Sequence, residues 1–196
     1  MGTTASLHVD DDVGREAFDA ALRVVREELE RFEAMFSVFR PDSEISRINS
    51  GTLHHLDASP EVVDVLDACA WLEQVSDGAF SIRRSRESAE INPSGFVKGW
   101  AAERASRLLA DNGLSHWYLG VGGDYVLNGG MASGEPWRIG IIDPGDPSML
   151  VGTVDLKNGA VATSGTAERG AHLWDPRTGE PATAFRSVTV TRPSLT

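Results

Sequence analysis

Trp117-Tyr-Leu-Gly-Val-Gly-Gly-Asp-Tyr-Val-Leu127 decides how this chain folds. Two short β-forming runs, Trp117–Val121 and Tyr125–Leu127, flank a glycine-rich joint, so the segment reads first as two strands around a turn or bulge. The same texture continues toward the C-terminal side in Trp137–Ile142, Val151–Leu156, Ala160–Thr163 and Ser187–Thr191. Trp137, Ile139 and Ile141 alternate with their neighbours, as expected of a strand that buries one face. Before Gly113 the pattern is helical. Ala17, Ala20, Ala21, Val24, Val25, Leu29, Phe32, Met35 and Phe36 recur at three- and four-residue spacing. Ser59-Pro60 is a helix start, cap then proline, for a second apolar face of Val62, Val65, Leu66, Cys69 and Leu72. A third helix is expected from Val97 to Ala110, stopping at Asp111-Asn-Gly113. Helices first and a mostly antiparallel meander afterwards predict an α+β fold, preceded by a strand over Thr4–Val9.

The 196 residues suit one domain with a sizeable core, and 41% hydrophobic and 24% charged residues are ordinary for a globular protein. A formal net charge of -11 argues against general binding to nucleic acid or an anionic membrane, while leaving room for a local positive pocket. Cys69 is alone, which rules out an internal disulfide and a cysteine-rich metal site; its helical apolar context predicts a buried small hydrophobe. No apolar run approaches membrane-spanning length and no leader pattern stands in the sequence, so a cytoplasmic location is expected, with export left open if an N-terminal signal has been trimmed. Met1-Gly-Thr-Thr-Ala-Ser6 fits a myristoylation pattern in form, but the start of the first strand is the better account.

Several segments carry chemistry. Gly159-Ala-Val-Ala-Thr-Ser-Gly165 runs an apolar strand into hydroxyls between glycines, where freed N–H groups suit anionic oxygens. After Glu168-Arg169, His172-Leu-Trp-Asp-Pro-Arg-Thr-Gly179 brings a histidine into a tight turn; only His172 there exchanges a proton near neutral pH. Asn92-Pro-Ser-Gly-Phe-Val-Lys98 opens the third helix, and helix-start N–H donors plus a lysine make a pyrophosphate cradle. It is not a Walker loop, since the Gly-Lys-Ser/Thr order is missing. Asp77-Gly-Ala-Phe80 is a helix-ending turn on its own terms, small enough for a ring to lie against its backbone. In Phe36-Ser…Asn49, Arg40, Ser43, Arg47 and Asn49 suit a phosphate or ring edge, or equally an Asp-Ser helix cap. The link Ser81–Ser94, with Arg83, Arg84, Arg86, Glu87 and Glu90, is expected to loop over the surface. His8, His54, His55 and His116 lack metal-pair spacing and read as surface or core packing residues.

Taken in order, these pieces resemble the ApbE family of FAD:protein FMN transferases. The matching segments are Met1-Gly-Thr, Phe36-Ser…Asp42-Ser-Glu…Asn49, Asp77-Gly-Ala-Phe80, Gly95-Phe-Val-Lys-Gly-Trp-Ala101, Gly122-Gly-Asp124, Trp137-Arg-Ile-Gly-Ile-Ile-Asp-Pro144, Val161-Ala-Thr-Ser-Gly165 and His172…Gly179. The resemblance implies a single T-fold-like domain over 1–196, with helices packed on a mostly antiparallel sheet. It also implies cleavage of the FAD pyrophosphate with a divalent metal, usually Mg²⁺. FMN passes to a threonine or serine hydroxyl of a target flavoprotein, and AMP leaves. By position, Met1, Phe39 (usually tyrosine in the family), Asp77, Gly78, Ala79, Asn92, Lys98 and Leu173 would line the FAD site. The Gly95 carbonyl would ligate the metal, and His172 would be the base, supported by Thr163, Ser164 and Arg169.

Asn92 stands where the family commonly has aspartate, and the link from Phe80 to Lys98 is shorter than in many members. The chain stops at Pro193-Ser-Leu-Thr196, where the resemblance places a helix completing the metal site; truncation at the C-terminus is therefore the expectation. Loss of that helix would uncover apolar sheet surface and favour self-association, which leaves a homodimer open. Two other activities stay open on the sequence: a non-catalytic FAD-binding protein, and a Mg²⁺-dependent FAD pyrophosphatase.

Overall fold

The computed structural model describes residues 3–85, 87–165 and 173–196. Its elements are β1 (Ala5–Val9), α1 (Arg15–Phe36), α2 (Glu44–Asn49), a 3₁₀ turn (His55–Asp57), α3 (Pro60–Val75) and α4 (Ser94–Asp111). Six further strands are β2 (Trp117–Val121), β3 (Asp124–Asn128), β4 (Trp137–Asp143), β5 (Asp146–Leu156), β6 (Gly159–Gly165) and β7 (Ser187–Arg192). A five-stranded sheet runs β1-β2-β3-β6-β7 and a two-stranded one β4-β5; every pairing is antiparallel. The α+β expectation holds.

Two compact units emerge from the contacts, one from Glu30–Lys98 with residues 173–183, the other from residues 3–29, 99–165 and 184–196. In the second unit the glycine joint is a two-residue hairpin turn. Gly122 and Gly123 both have positive φ (56° and 83°), matching the strand twist as side-chain-bearing residues would not. The pleat then sorts side chains by face. Leu7, Val9, Trp117, Leu119, Val121 and Val126 pack with Ala21 and Val25 of α1 and with Ala102, Ala105 and Leu109 of α4. On the opposite face, Leu127 and Val161 pack with Trp137 and Ile139 of β4. Each fully buried Leu, Val or Phe in such a core contributes about 1.5–3 kcal/mol. Coverage is uneven: Val188 and Val190 of β7 and Ile142, Met149, Leu150 and Val151 of the β4–β5 hairpin are exposed.

The first unit buries Phe32 and Phe36 from the end of α1, Ile45 of α2, and Val62, Val65 and Cys69 of α3. Pro60 occupies the first turn of α3 as expected, but the Ser59 hydroxyl makes no capping bond. The Glu44 carboxylate holds the N-cap residue itself from across 15 residues of sequence, accepting the Ser59 N–H at 2.6 Å.

Burial pushes the Cys69 thiol up to about 12, with the Glu73 carboxylate adding to the shift. Iodoacetamide at pH 8 is therefore expected to leave the folded protein unmodified and to label it once unfolded in urea, read by intact mass. Because the folded value lies above the ordinary 9.0, this group's contribution to stability is complete below about pH 9 and fades as pH rises toward 12. Rapid labelling of the folded chain would contradict the burial.

Candidate functional site

The first unit holds most of the residues singled out by sequence. α3 ends where Gly78 N–H donates to Glu73 C=O (2.9 Å) and Asp77 N–H to Gln74 C=O (3.3 Å). Both residues are left-handed, Asp77 at φ 51° and Gly78 at 73°. Asp77 is the one non-glycine residue with positive φ among the described residues. An aspartate tolerates this better than most side chains, and a left-handed residue just past the C-cap closes the helix end. Ser76 Oγ accepts the Phe80 N–H at 3.0 Å and steers the chain onward.

This turn forms one wall of a cleft of about 360 Å³, lined by Glu73, Gln74, Asp77, Gly78, Ser81, Arg83, Pro176 and Arg177. Its other wall is the Asp175–Gly179 turn. The Asp175 carboxylate accepts bonds from the Arg177 side chain at 2.8 and 2.7 Å and from the Arg177 N–H at 3.0 Å. The Arg177 guanidinium first, and then that N–H, hold the Asp175 carboxyl down at about 2. Arg177 Cγ lies 3.7 Å from where a Cβ on Gly78 would sit, so the two turns meet. Leu173 is half-buried, and its carbonyl accepts the Ala182 N–H at 2.9 Å.

The start of α4 adjoins the same turn. Phe80 Cε2 would lie 3.8 Å from a Cβ on Gly95, so the glycine leaves the aromatic edge in loose contact with the helix start. Asn92 Oδ1 accepts the Ser94 N–H at 3.1 Å and the Ser94 hydroxyl at 2.5 Å. That cap starts α4 at Ser94, earlier than the expected start at Val97, and puts Gly95 and Lys98 in its first turns. Gly95 is exposed and Lys98 half-buried. The loop from Ser81 is stapled rather than loose: Arg83 donates to the carbonyls of Ser88 (3.0 Å) and Ala89 (3.3 Å).

Phe39 is 86% exposed, an aromatic face with little protein against it. The candidates around it divide. Ser43 is a helix cap: buried, its Oγ accepts the Ser46 N–H (3.0 Å) and donates to Ser37 C=O (2.5 Å). Arg40 pairs with Asp42 at 2.9 Å on the surface. Asn49 turns to the backbone of Ile91.

Thr163 and Ser164 belong to β6 in the second unit. Thr163 N–H donates to Asp124 Oδ1 (3.1 Å), and its hydroxyl shares a 2.9 Å bond with that of Thr189; Ser164 is exposed. Met1, His172 and Arg169 lie outside the described residues. The other described histidines make local contacts: His8 stacks on Tyr118, His116 Nδ1 bonds Gly130 O, and His54 and His55 are exposed, with His54 Nδ1 accepting the Leu56 N–H.

Sequence reasoning passed over Glu73, Gln74, Ser81 and Arg83 as cleft residues, because a helix end and a polar loop carry no pocket signal by composition. The turn that supplies Pro176 and Arg177 was legible; its place against Gly78 was not.

The ApbE family model matches residues 1–85 and 81–196 of the chain. A FAD:protein FMN transferase of Klebsiella pneumoniae is 36% identical over 114 residues, covering 53% of this chain and 33% of that protein. One of Salmonella typhimurium is 30% identical over 150 residues, covering 69% and 43%. The matches thus span less than half the length of these relatives. Among solved structures, flavin transferase ApbE from Vibrio cholerae superimposes with a TM-score of 0.80 at 22% identity, over 100% of this chain and 80% of that one. The ApbE protein of Thermotoga maritima gives 0.79 at 24% identity, over 99% and 80%. At these identities the structures show a shared fold.

Proposed function

The chain belongs to the ApbE family, and from that premise we propose that it acts as an FAD:protein FMN transferase. The acceptor is a threonine or serine hydroxyl of a target flavoprotein. One observation carries the reading to this chain's own residues: three segments remote in sequence meet at one place, Arg177 against Gly78 and Phe80 against Gly95. Around that junction lie the cleft and the start of α4.

The roles rest on chemistry. Phe39 offers an open aromatic face for a flavin ring to stack on. The left-handed Asp77-Gly78 turn and Ala79 keep side chains short where a planar ligand must approach backbone. The N–H groups opening α4, with the Lys98 ammonium, favour a pyrophosphate. The acceptor oxygen bonds to the phosphorus of the FMN half, the P–O bond to AMP breaks, and AMP carries off the negative charge. His172 takes the hydroxyl proton, with Thr163, Ser164 and Arg169 as its proposed support.

Mg²⁺ fits the described residues poorly. No group of three or more His, Cys, Asp or Glu among them could hold a metal. The Gly95 carbonyl, within a helix, has only its second lone pair to give, and a hard cation needs carboxylate or phosphate oxygens as well. Mg²⁺ would therefore enter with the phosphates of FAD and is supplied with FAD in the assay.

The test incubates the chain with FAD, Mg²⁺ and a threonine-bearing acceptor peptide, and reads the intact mass of the peptide. An FMN-sized gain is expected. Free FMN and AMP with an unlabelled acceptor would replace transfer by hydrolysis, and FAD recovered intact would leave a binder. Lys98→Ala is expected to weaken FAD binding about tenfold, the scale of one charge-assisted contact to phosphate. Unchanged affinity by flavin fluorescence titration would remove Lys98 from the site.

A further inference from the structure

Asn49 grips backbone. Its Nδ2 donates to Ile91 C=O at 3.0 Å, and its Oδ1 accepts the Ile91 N–H at 2.9 Å. The amide thereby supplies the donor–acceptor pair that a neighbouring antiparallel strand would give one residue. The partners are 42 residues apart, and Ile91 is 7% exposed, so water is poorly placed to take over its N–H and C=O.

The residues just after Ile91 give the clamp its consequence. Asn92 N–H donates to Ile82 C=O at 2.7 Å, and Asn92 Oδ1 then caps α4 through Ser94. The path into Gly95 and Lys98 is thus held at Ile91 by Asn49, at Asn92 by Ile82, and at Ser94 by the cap. Asn49 is itself firmly placed. It is the last residue of α2, which is anchored by the Ser43 cap and by Ile45, fully buried. Ser50 N–H closes the helix end on Ser46 C=O at 2.9 Å.

We propose that Asn49 is a positioning residue for the ligand-binding turn: its clamp on Ile91 fixes the path of residues 92–98 and so sets the affinity for FAD. This rests on reading that turn as part of the FAD site. One amide N–H and the amide oxygen are engaged by Ile91, so the proposed role of Asn49 is exerted through the turn.

Two variants test the assignment, with FAD affinity and thermal melting measured for each. Asn49→Ala removes both bonds and is expected to weaken FAD binding about tenfold or more while melting stays cooperative, as for other residues that orient a binding group. Asn49→Asp keeps the shape. Its ionised carboxylate still accepts the Ile91 N–H but faces the Ile91 carbonyl oxygen without a proton between them. When protonated, the introduced carboxyl donates to that oxygen and both bonds return. The affinity of Asn49→Asp relative to wild type should therefore recover as pH falls from about 7.5 to about 5.5, where a carboxyl held in this way takes up its proton. A general loosening of the fold would not produce that recovery. Wild-type affinity in either variant at pH 7.5, or a deficit in Asn49→Asp that stays constant with pH, would overturn the assignment alone. Failure of the wild-type chain to bind FAD would remove the functional reading and this inference with it.

Discussion

Gly129→Ala is expected to destabilise the second unit by about 2–5 kcal/mol, combining the left-handed penalty of a β-carbon with the cost of overpacking. Gly129 has φ +74°, and a Cβ there would fall 2.0 Å from Ser115 O and 2.9 Å from His116 Nδ1. Neither neighbour yields easily. Ser115 O accepts Asn128 Nδ2 at 2.8 Å, while the Ser115 and His116 N–H groups donate to the Asp11 carboxylate at 3.0 and 2.8 Å. His116 Nδ1 is tied to Gly130 O at 3.0 Å, and the Gly129 N–H donates to Asn158 Oδ1 at 2.8 Å. A methyl group must therefore displace backbone and break part of this network. Thermal melting should show a fall of roughly 10 °C for a chain of this size. Gly113→Ala is the control: φ is +80° but nothing lies within 4 Å of the added carbon. It should cost only the conformational part, about 1–2 kcal/mol. Equal losses in the two variants would mean that the contact with Ser115 is not as tight as the structure draws it.

His172→Ala carries the largest expected effect on activity. Removing a general base lowers a rate by about 10²–10⁴-fold. In the proposed transfer the hydroxyl of threonine or serine is a poor nucleophile until its proton is taken, and imidazole can take it near neutral pH. FAD affinity should stay within about twofold of wild type, since the proposed contacts to the flavin and pyrophosphate come from other residues. The pair of measurements separates the roles. Lost transfer with retained binding supports the base; full transfer removes His172 from the mechanism, and joint loss makes it a binding residue.

Much of this molecule is legible along the chain. β2 was readable to the residue because Trp117–Val121, Gly120 apart, is a run of aromatic and apolar residues that ends at a glycine pair. Its partner β3 and the second-unit faces of α1 and α4 come from apolar spacing, because burial on one side imposes that period. Ends were less legible. β5 begins at Asp146, well before the apolar Val151, because pairing with β4, bulges included, carries a polar stretch into the ladder. Ser43 and Ser59 show why caps resist local reading: both sequences invite a cap, and Ser43 makes one, whereas the Ser59 hydroxyl makes no capping bond and its own N–H is held by the carboxylate of Glu44.

The sequence by itself determined the class of fold, the order of elements and the motifs that mark the family, since periodicity, turn chemistry and short motifs are local properties. Tertiary structure decided what those motifs do to each other. It set Arg177 beside Gly78, laid Phe80 against Gly95, and committed the amide of Asn49 to Ile91. An amide carries the same donor and acceptor wherever it stands. Only the folded chain, by burying Ile91 and presenting its N–H and C=O, determines which partner that amide takes.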